Sequence, residues 1–310
     1  MSFASDAKNE ICALRQEKKC CSLAECYGIL LFCTCFSSSE IRIITSNSDF
    51  AARLPKLFGK VFGTGFDYIS PASATGKTTL LISDRGKIRT VFERFSLEPD
   101  QNLSHHINFA VLEEDCCKTA FLRGAFLSGG AVTDPDKHFH LEFSTSHKYV
   151  CPEAHSILLD LGFSPRETTR KNSWLLYFKQ ADVIADLLTL LGAHTSAMGI
   201  MTAKVDREMR NSITRKVNCD SANADKIVYA AQAQIDAIHR YAALYGLDSL
   251  PEALRGTALL RITNPEASLA DLAILSIPPV SKSCLSYRLK KIEELAAREP
   301  SDAAGSDSKE

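Results

Sequence analysis

The chain has 310 residues, 45% of them apolar and 24% charged, and a formal net charge of −1. Such a composition describes a globular protein with room for two or three domains, and it excludes a polycation, so any nucleic-acid surface has to be a local concentration of Lys and Arg. The opening MSFASDAKNEICALRQ is charged throughout, unlike a signal peptide, and no stretch approaches the roughly 18 apolar residues of a membrane span; the cytoplasm is the expected compartment and no membrane partner is expected.

In chain order, the first strong element is CCSLAECYGILLFCTCF (20–36), an apolar helix that opens on a cysteine pair and holds one internal glycine, Gly28. IRIITSNSDFAARLPKLFGKVFG (41–63) follows: a short alternating strand, then Thr-Ser, a polar residue opening a helix, and Gly near the helix end. Ser46 is placed to cap that helix. SPASATGKTTLL (70–81) contains GKT, the end of a phosphate-binding loop, but the glycine required five residues earlier is Pro71, and TTLLIS reads as a strand where a helix should begin. A hairpin turn at Ala74-Thr75-Gly76-Lys77 is expected there, with the strand TTLLISD (78–84) running on into a helix.

The pattern then repeats. CCKTAFLRGAFLSGGAV (116–132) is a second cysteine pair and apolar helix, with Gly124 inside it, although glycine in a helix interior costs about 1 kcal/mol against alanine. LEFSTSHKYVCPEAHSILLDLGF (141–163) echoes residues 41–63, with Thr145-Ser146-His147 one hundred residues after Thr45-Ser46-Asn47 and Ser146 as the matching cap; SWLLYFK (173–179) echoes TTLLISD. Two copies of one α+β unit, over about 1–95 and 116–195, are expected to pair about a pseudo-two-fold axis. Gly28 and Gly124 would face each other across it, because a residue without Cβ lets two backbones approach closely.

Eleven cysteines include Cys20, Cys21, Cys26, Cys33, Cys35, Cys116 and Cys117. Adjacent Cys-Cys and a lone C-x-C do not have the paired C-x2–4-C spacing of a zinc site, so they are read as buried thiols and no metal or other cofactor is called for. His138 and His140 alternate along KHFHLEF without an obvious acidic or cysteine partner and read as surface or edge-strand histidines.

Beyond residue 195 the character changes. Residues 203–218 hold five Lys/Arg and two acids and follow Gly192 and Gly199; the stretch 196–220 reads as a partly exposed basic connector. Arg207, Arg210, Arg215 and Lys216 are there either as a solvated charge run or as DNA-phosphate contacts. From Asn223 a helix shows one face at Ile227, Ala231, Ile235, Ile238 and Ala242, ending at Gly246. A second helix runs from near Leu250-Pro251 to Leu260; Ser268 caps a third, supported by Asp271; Ser281 caps a fourth, SKSCLSYRLKKIEELAA. In that last helix Leu285, Leu289, Ile292 and Ala296 face inward, Ser283, Ser286, Tyr287 and Lys290 outward, and Lys282, Arg288 and Lys291 flank them with no acid between 281 and 292. Cations for phosphates and hydroxyls for base edges are the chemistry of a recognition helix, so residues 221–298 read as a helix-turn-helix domain, with Ser268 and Ser281 at the two helix starts also expected at the DNA, and 299–310 as a disordered tail.

The first 195 residues resemble the LAGLIDADG homing-endonuclease fold, with FLRGAFLSGG (121–130) as the second motif copy and YGILLFCTC (27–35) as a degenerate first. That resemblance implies that the motif helices form the interface and that an acid five residues past each glycine binds the cleavage metal; here those positions are Gly129 and Cys33. Without carboxylates to hold Mg²⁺ the scaffold is expected to have no catalytic residues and no nuclease activity. The whole chain is similar to the WhiA family, on TRKVNCDSANADKIVYAAQAQI (214–235) and SLADLAILSIPPVSKSCLSYRLKKI (268–292). The fold class this implies is α+β: a pseudo-two-fold LAGLIDADG-like domain followed by a small all-α helix-turn-helix domain. The function it implies is a nucleoid-associated regulator of transcription whose partner is double-stranded DNA, together with other transcription or division proteins, in sporulation or in cell division and chromosome segregation. An endonuclease with displaced metal ligands and a protein-interaction scaffold built on the same fold are the alternatives.

Overall fold

The computed structural model describes residues 2–15, 18–70, 76–97 and 104–298. Its first unit extends to Glu208 and its second begins at Met209. The first unit contains the same sequence of elements twice. Helix α2 (Lys19–Leu31) leads to strands β1 (Cys35–Phe36) and β2 (Ile41–Thr45), helix α3 (Ser48–Phe62), strands β3 (Tyr68–Ile69) and β4 (Thr78–Ile82), and helix α4 (Arg85–Glu93). Helix α5 (Asp115–Gly129) leads to β5 (Gly130–Val132), β6 (Leu141–Thr145), α6 (Val150–Asp160), β7 (Arg166–Arg170), β8 (Ser173–Phe178) and α7 (Ala181–Leu191). Both sheets are antiparallel and share one strand order, β1-β2-β4-β3 and β5-β6-β8-β7. The alternation seen in the sequence sends Ile41, Ile43, Leu80 and Ile82 of one sheet, and Leu141, Phe143, Leu176 and Phe178 of the other, into one continuous core.

The local signals differ from expectation at the helix starts. Ser46 and Ser146 cap nothing. Asn47 is the cap of α3, its Oδ1 accepting from the Phe50 amide at 2.8 Å, while α6 begins only at Val150, behind Tyr149, with no side-chain cap. What the repeat keeps is the threonine. Thr45 Oγ1 accepts from the Asn47 amide at 3.1 Å and Thr145 Oγ1 from the His147 amide at 3.2 Å. These side chains close the turn before the helix in both copies. The expected turn at Ala74–Lys77 lies partly outside the described residues; Gly76, within them, has φ of 69°.

Across the boundary between the units runs one helix, α8 (His194–Tyr245), of 52 residues. The connector expected over 196–220 and the helix start expected at Asn223 are both replaced by this single element. Its first turns belong to the first unit: Ala197 and Ile200 are in the core, and Glu10 of α1 (Phe3–Ala13) accepts from the Thr195 and Ser196 amides at 2.7 and 2.9 Å. A carboxylate there satisfies free amides and meets the positive end of the helix dipole. The first unit therefore extends past residue 195.

In the second unit α9 (Glu252–Thr263), α10 (Leu269–Leu275) and α11 (Lys282–Ala296) pack with the end of α8 around their own small core. On α8 the buried face consists of Ala231, Ala237, Ile238 and Tyr241; Ile227, expected there, is exposed. The expected tail at 299–310 lies outside the described residues.

Candidate nucleic-acid interface

Helix α11 begins where Ser281 Oγ accepts from the Cys284 amide at 3.2 Å. Leu285, Leu289, Ile292 and Ala296 are buried, at spacings of four and three, so the remaining face is fixed toward solvent. Lys282, Ser283, Ser286, Tyr287 and Lys290 are exposed on it, and Arg288 and Lys291 are half-buried at its sides. Tyr287 is 67% exposed, which leaves its ring and hydroxyl available to a ligand. Lys291 pairs with Glu294 at 3.4 Å, whereas Lys282, Arg288 and Lys290 have no carboxylate partner among the described residues.

The helix before it is set by a capping box. Ser268 Oγ accepts from the Asp271 amide at 3.2 Å and donates to Asp271 Oδ2 at 2.7 Å. The Val280 amide donates to Ala273 O at 3.1 Å and ties the turn between α10 and α11 back to α10. Ser268 and Ser281, both expected at the DNA, thus hold helix starts with their hydroxyls. Arg261, 2% exposed, reaches from α9 to Ala267 O at 2.7 Å and fixes the loop that enters α10. Sequence reading missed this residue because an arginine at a helix end usually points to water.

The α8 cations divide into two groups. Arg210, Arg215 and Lys216 are exposed on the helix surface. Arg207 is not free: its guanidinium donates to Pro135 O at 2.9 Å and lies 4.4 Å from the Phe139 ring centroid. Its Nη2 thus holds the β5–β6 loop, a structural role beside the phosphate contact expected for it.

At the centre of the first unit α2 and α5 pack directly on each other. A Cβ on Gly28 would lie 2.0 Å from Phe121 O, and one on Gly124 would lie 2.0 Å from Glu25 O, a reciprocal backbone contact only glycine permits. Five residues on, Gly129 sits equally close: a Cβ there would meet Ser144 O at 2.3 Å and Phe32 O at 2.9 Å. Cys33 is buried, its thiol donating to Cys35 O at 3.1 Å, and burial pushes its pKa up to about 12. One position has no room for a side chain and the other holds a protonated thiol. Beside them Lys8 Nζ donates to Leu127 O at 3.0 Å, so a cation already occupies the C-terminal end of α5, its pKa lowered by burial to about 8.

The sheet faces turned away from the helices carry Arg42, Ile44 and Tyr68 in the first copy and Glu142, Arg166, Arg170 and Tyr177 in the second. Arg42 is ion-paired with Glu40, and Arg170 with Glu142 at 2.9 Å; Glu142 also meets His140 Nε2 at 3.1 Å. Arg166 has no carboxylate partner among the described residues. His138 and His140 stand 6.2 Å apart between ring centroids, beside this carboxylate.

The model of the WhiA C-terminal HTH domain matches residues 213–296, and that of the WhiA LAGLIDADG-like domain matches residues 118–210. The chain is 32% identical over 306 residues to the "Probable cell division protein WhiA" of Ruminiclostridium cellulolyticum, covering 96% of this chain and 98% of that protein. It is 31% identical over 318 residues to the protein of the same name from Alkaliphilus metalliredigens, with the same coverage of 96% and 98%. Among solved structures, full-length DUF199/WhiA from Thermotoga maritima shares the fold with a TM-score of 0.58 at 24% identity, over 96% of this chain and 98% of that one. Two family domains in order and relatives matched end to end have one consequence: the chain belongs to the WhiA family.

Proposed function

We propose that this protein is a sequence-specific binder of double-stranded DNA that regulates transcription in cell division or chromosome segregation, and that it has no nuclease activity. The observation that carries the reading is the outward face of α11, where Lys282, Arg288 and Lys290 lack carboxylate partners among the described residues, beside exposed Ser283, Ser286 and Tyr287. Free cations attract phosphates and displace their counterions, while hydroxyls and a guanidinium read base edges in the major groove. Arg210, Arg215 and Lys216 add exposed cations around α8. The division role comes from the name its relatives carry, and nucleoid association in the cytoplasm follows from DNA binding.

The absence of cleavage is argued from chemistry. Metal-assisted hydrolysis of a phosphodiester needs carboxylates around the ion, and the two inherited positions are Gly129 and Cys33. Incubation with supercoiled plasmid and Mg²⁺ or Mn²⁺ tests this; dose-dependent nicking refutes it. DNA binding is tested by fluorescence anisotropy with genomic fragments. Arg288→Ala with Lys290→Ala should weaken binding roughly 10- to 100-fold and lower the slope of log K against log salt by about 1 for each phosphate contact removed. Unchanged affinity would sink the assignment of α11.

A further inference from the structure

We propose that Cys20, Cys21, Cys116 and Cys117 form a four-thiolate site for a single soft divalent ion, zinc in the first place, which ties together the starts of α2 and α5. The four Sγ atoms all lie within 4.8 Å of one another, and those of Cys20 and Cys21 are 4.0 Å apart. A tetrahedral ion with Zn–S bonds of about 2.3 Å holds its sulfurs roughly 3.8 Å apart. The thiols therefore need to contract by no more than about 1 Å, within the reach of side-chain rotation. An iron–sulfur cluster interposes several atoms between its thiolates and needs a wider cage.

The spacing rule that spoke against a metal assumes one local chain segment per ligand pair. Here the fold supplies the second pair. Cys21 and Cys117 each stand seven residues before the interface glycine of their own helix, Gly28 and Gly124. The close backbone contact at those glycines fixes both helices and brings equivalent positions of the two repeats together. Cys21 already lies 3.6 Å from Cys116 O. The other cysteines of the first unit form no such group among the described residues.

The surroundings favour a charged thiolate complex. All four cysteines are in the first turns of α2 and α5, at the positive ends of the helix dipoles. Lys18 Nζ is 3.9 Å from Cys116 Sγ and supplies a further positive charge. Cys21 and Cys117 are buried while Cys20 is exposed, which gives an ion a way in and a partly dry site. Binding one dication by four thiols forms four metal–sulfur bonds, leaves a complex of charge −2 and releases up to four protons to solvent. Cross-linking residues 95 apart, from Cys21 to Cys116, also restricts the unfolded chain, as a disulfide over such a loop does.

The test uses the full chain, purified under reducing conditions and stripped with a chelator. Titration with Co²⁺ should give the visible and thiolate-to-metal bands of a tetrahedral thiolate site, saturating at about one ion per chain and bleached by Zn²⁺. Cys20→Ser with Cys117→Ser should weaken that binding at least about 100-fold, while Cys219→Ser, on the exposed surface of α8, should leave it intact. Zinc should raise the melting temperature of the wild-type chain and not that of the double variant. No saturable binding, or binding that survives the double variant, overturns the proposal. So does thiol counting that finds the four cysteines joined as disulfides in reduced, metal-depleted protein.

Discussion

The sheet faces of the first unit and the outward face of α11 both carry arginines at the surface, and they use them differently. On the sheets Arg42 and Arg170 are each held by a carboxylate of their own unit, leaving Arg166 as the strand arginine without one among the described residues. On α11 Lys282, Arg288 and Lys290 have no carboxylate partner among the described residues. An arginine already bonded to a carboxylate has to break that pair before it meets a phosphate, so its net gain on binding DNA is small. The contrast teaches a division of labour. The first unit keeps its glycine-mediated helix packing and pairs two of its three strand arginines with carboxylates, while the second presents cations without carboxylate partners among the described residues.

The largest effect is expected in the scaffold. Gly124→Val places a branched side chain where even a Cβ would lie 2.0 Å from Glu25 O. The obstacle is backbone, which no rotamer change relieves. The first unit should lose its cooperative melting transition in calorimetry while the helical signal of the second persists. A fold that survives with unchanged melting would mean that the helix pair is not what holds the repeats. Next is Arg53→Met. Arg53 Nε and Nη2 bond Glu25 at 2.9 and 3.1 Å, and Nη1 bonds Cys12 O and Leu14 O at 2.9 and 2.7 Å. Glu25 is fully buried, so removing the guanidinium takes two bonds from a buried carboxylate and should cost about 3–5 kcal/mol in chemical unfolding of the first unit. DNA affinity of the folded protein should be untouched by this change, in contrast to the loss expected for Arg288→Ala with Lys290→Ala.

These residues also mark what the sequence reveals. The repeat was legible because Thr45 and Thr145 head matching strand-to-helix turns, and the inward stripe of α11 because a buried face must recur every three to four residues. The capping box at Ser268 and Asp271 is local chemistry and reads directly. The rest depended on long-range contact. No local pattern shows that Arg207 stacks on Phe139, that Glu10 caps a helix starting at His194, or that two cysteine pairs meet. The continuity of α8 did have a signal, the absence of Gly and Pro between residues 200 and 245, but weak apolar periodicity outweighed it. A helix exposed all round from 211 to 230 has no buried stripe to reveal it.

Acid should act on the scaffold through His147, the counterpart of Asn47 in the second repeat. Burial first, and the His105 ring 4.5 Å away second, lower its pKa to about 4, and its Nε2 is buried without a partner. The unfolded chain takes up that proton near pH 6.5. Between about 6.5 and 4 the unfolded state binds more protons than the folded one, so stability is full above this window and falls as pH drops through it. His105, also lowered by burial, adds in the same direction. Melting temperature followed from pH 7 to 4 should decline, and His147→Asn should flatten the decline; an unchanged slope would remove His147 from the account.

The smallest expected effect cuts closest to the comparison. Arg42→Ala with Arg170→Ala removes two positive charges, as many as Arg288→Ala with Lys290→Ala, and both sets lie at the surface. If free charge alone decided DNA affinity, the two double variants would behave alike. The pairs with Glu40 and Glu142 make them unequal: exposed ion pairs contribute only about 0–1 kcal/mol, and cations held in them offer little to a phosphate. Affinity in anisotropy should change less than about twofold for the sheet variant, with an unaltered salt slope. A loss comparable to that of the α11 variant would show that the sheet arginines exchange their carboxylates for phosphates on binding. The first unit would then be a second DNA surface whose neutralisation in the free protein is a restraint on nonspecific binding.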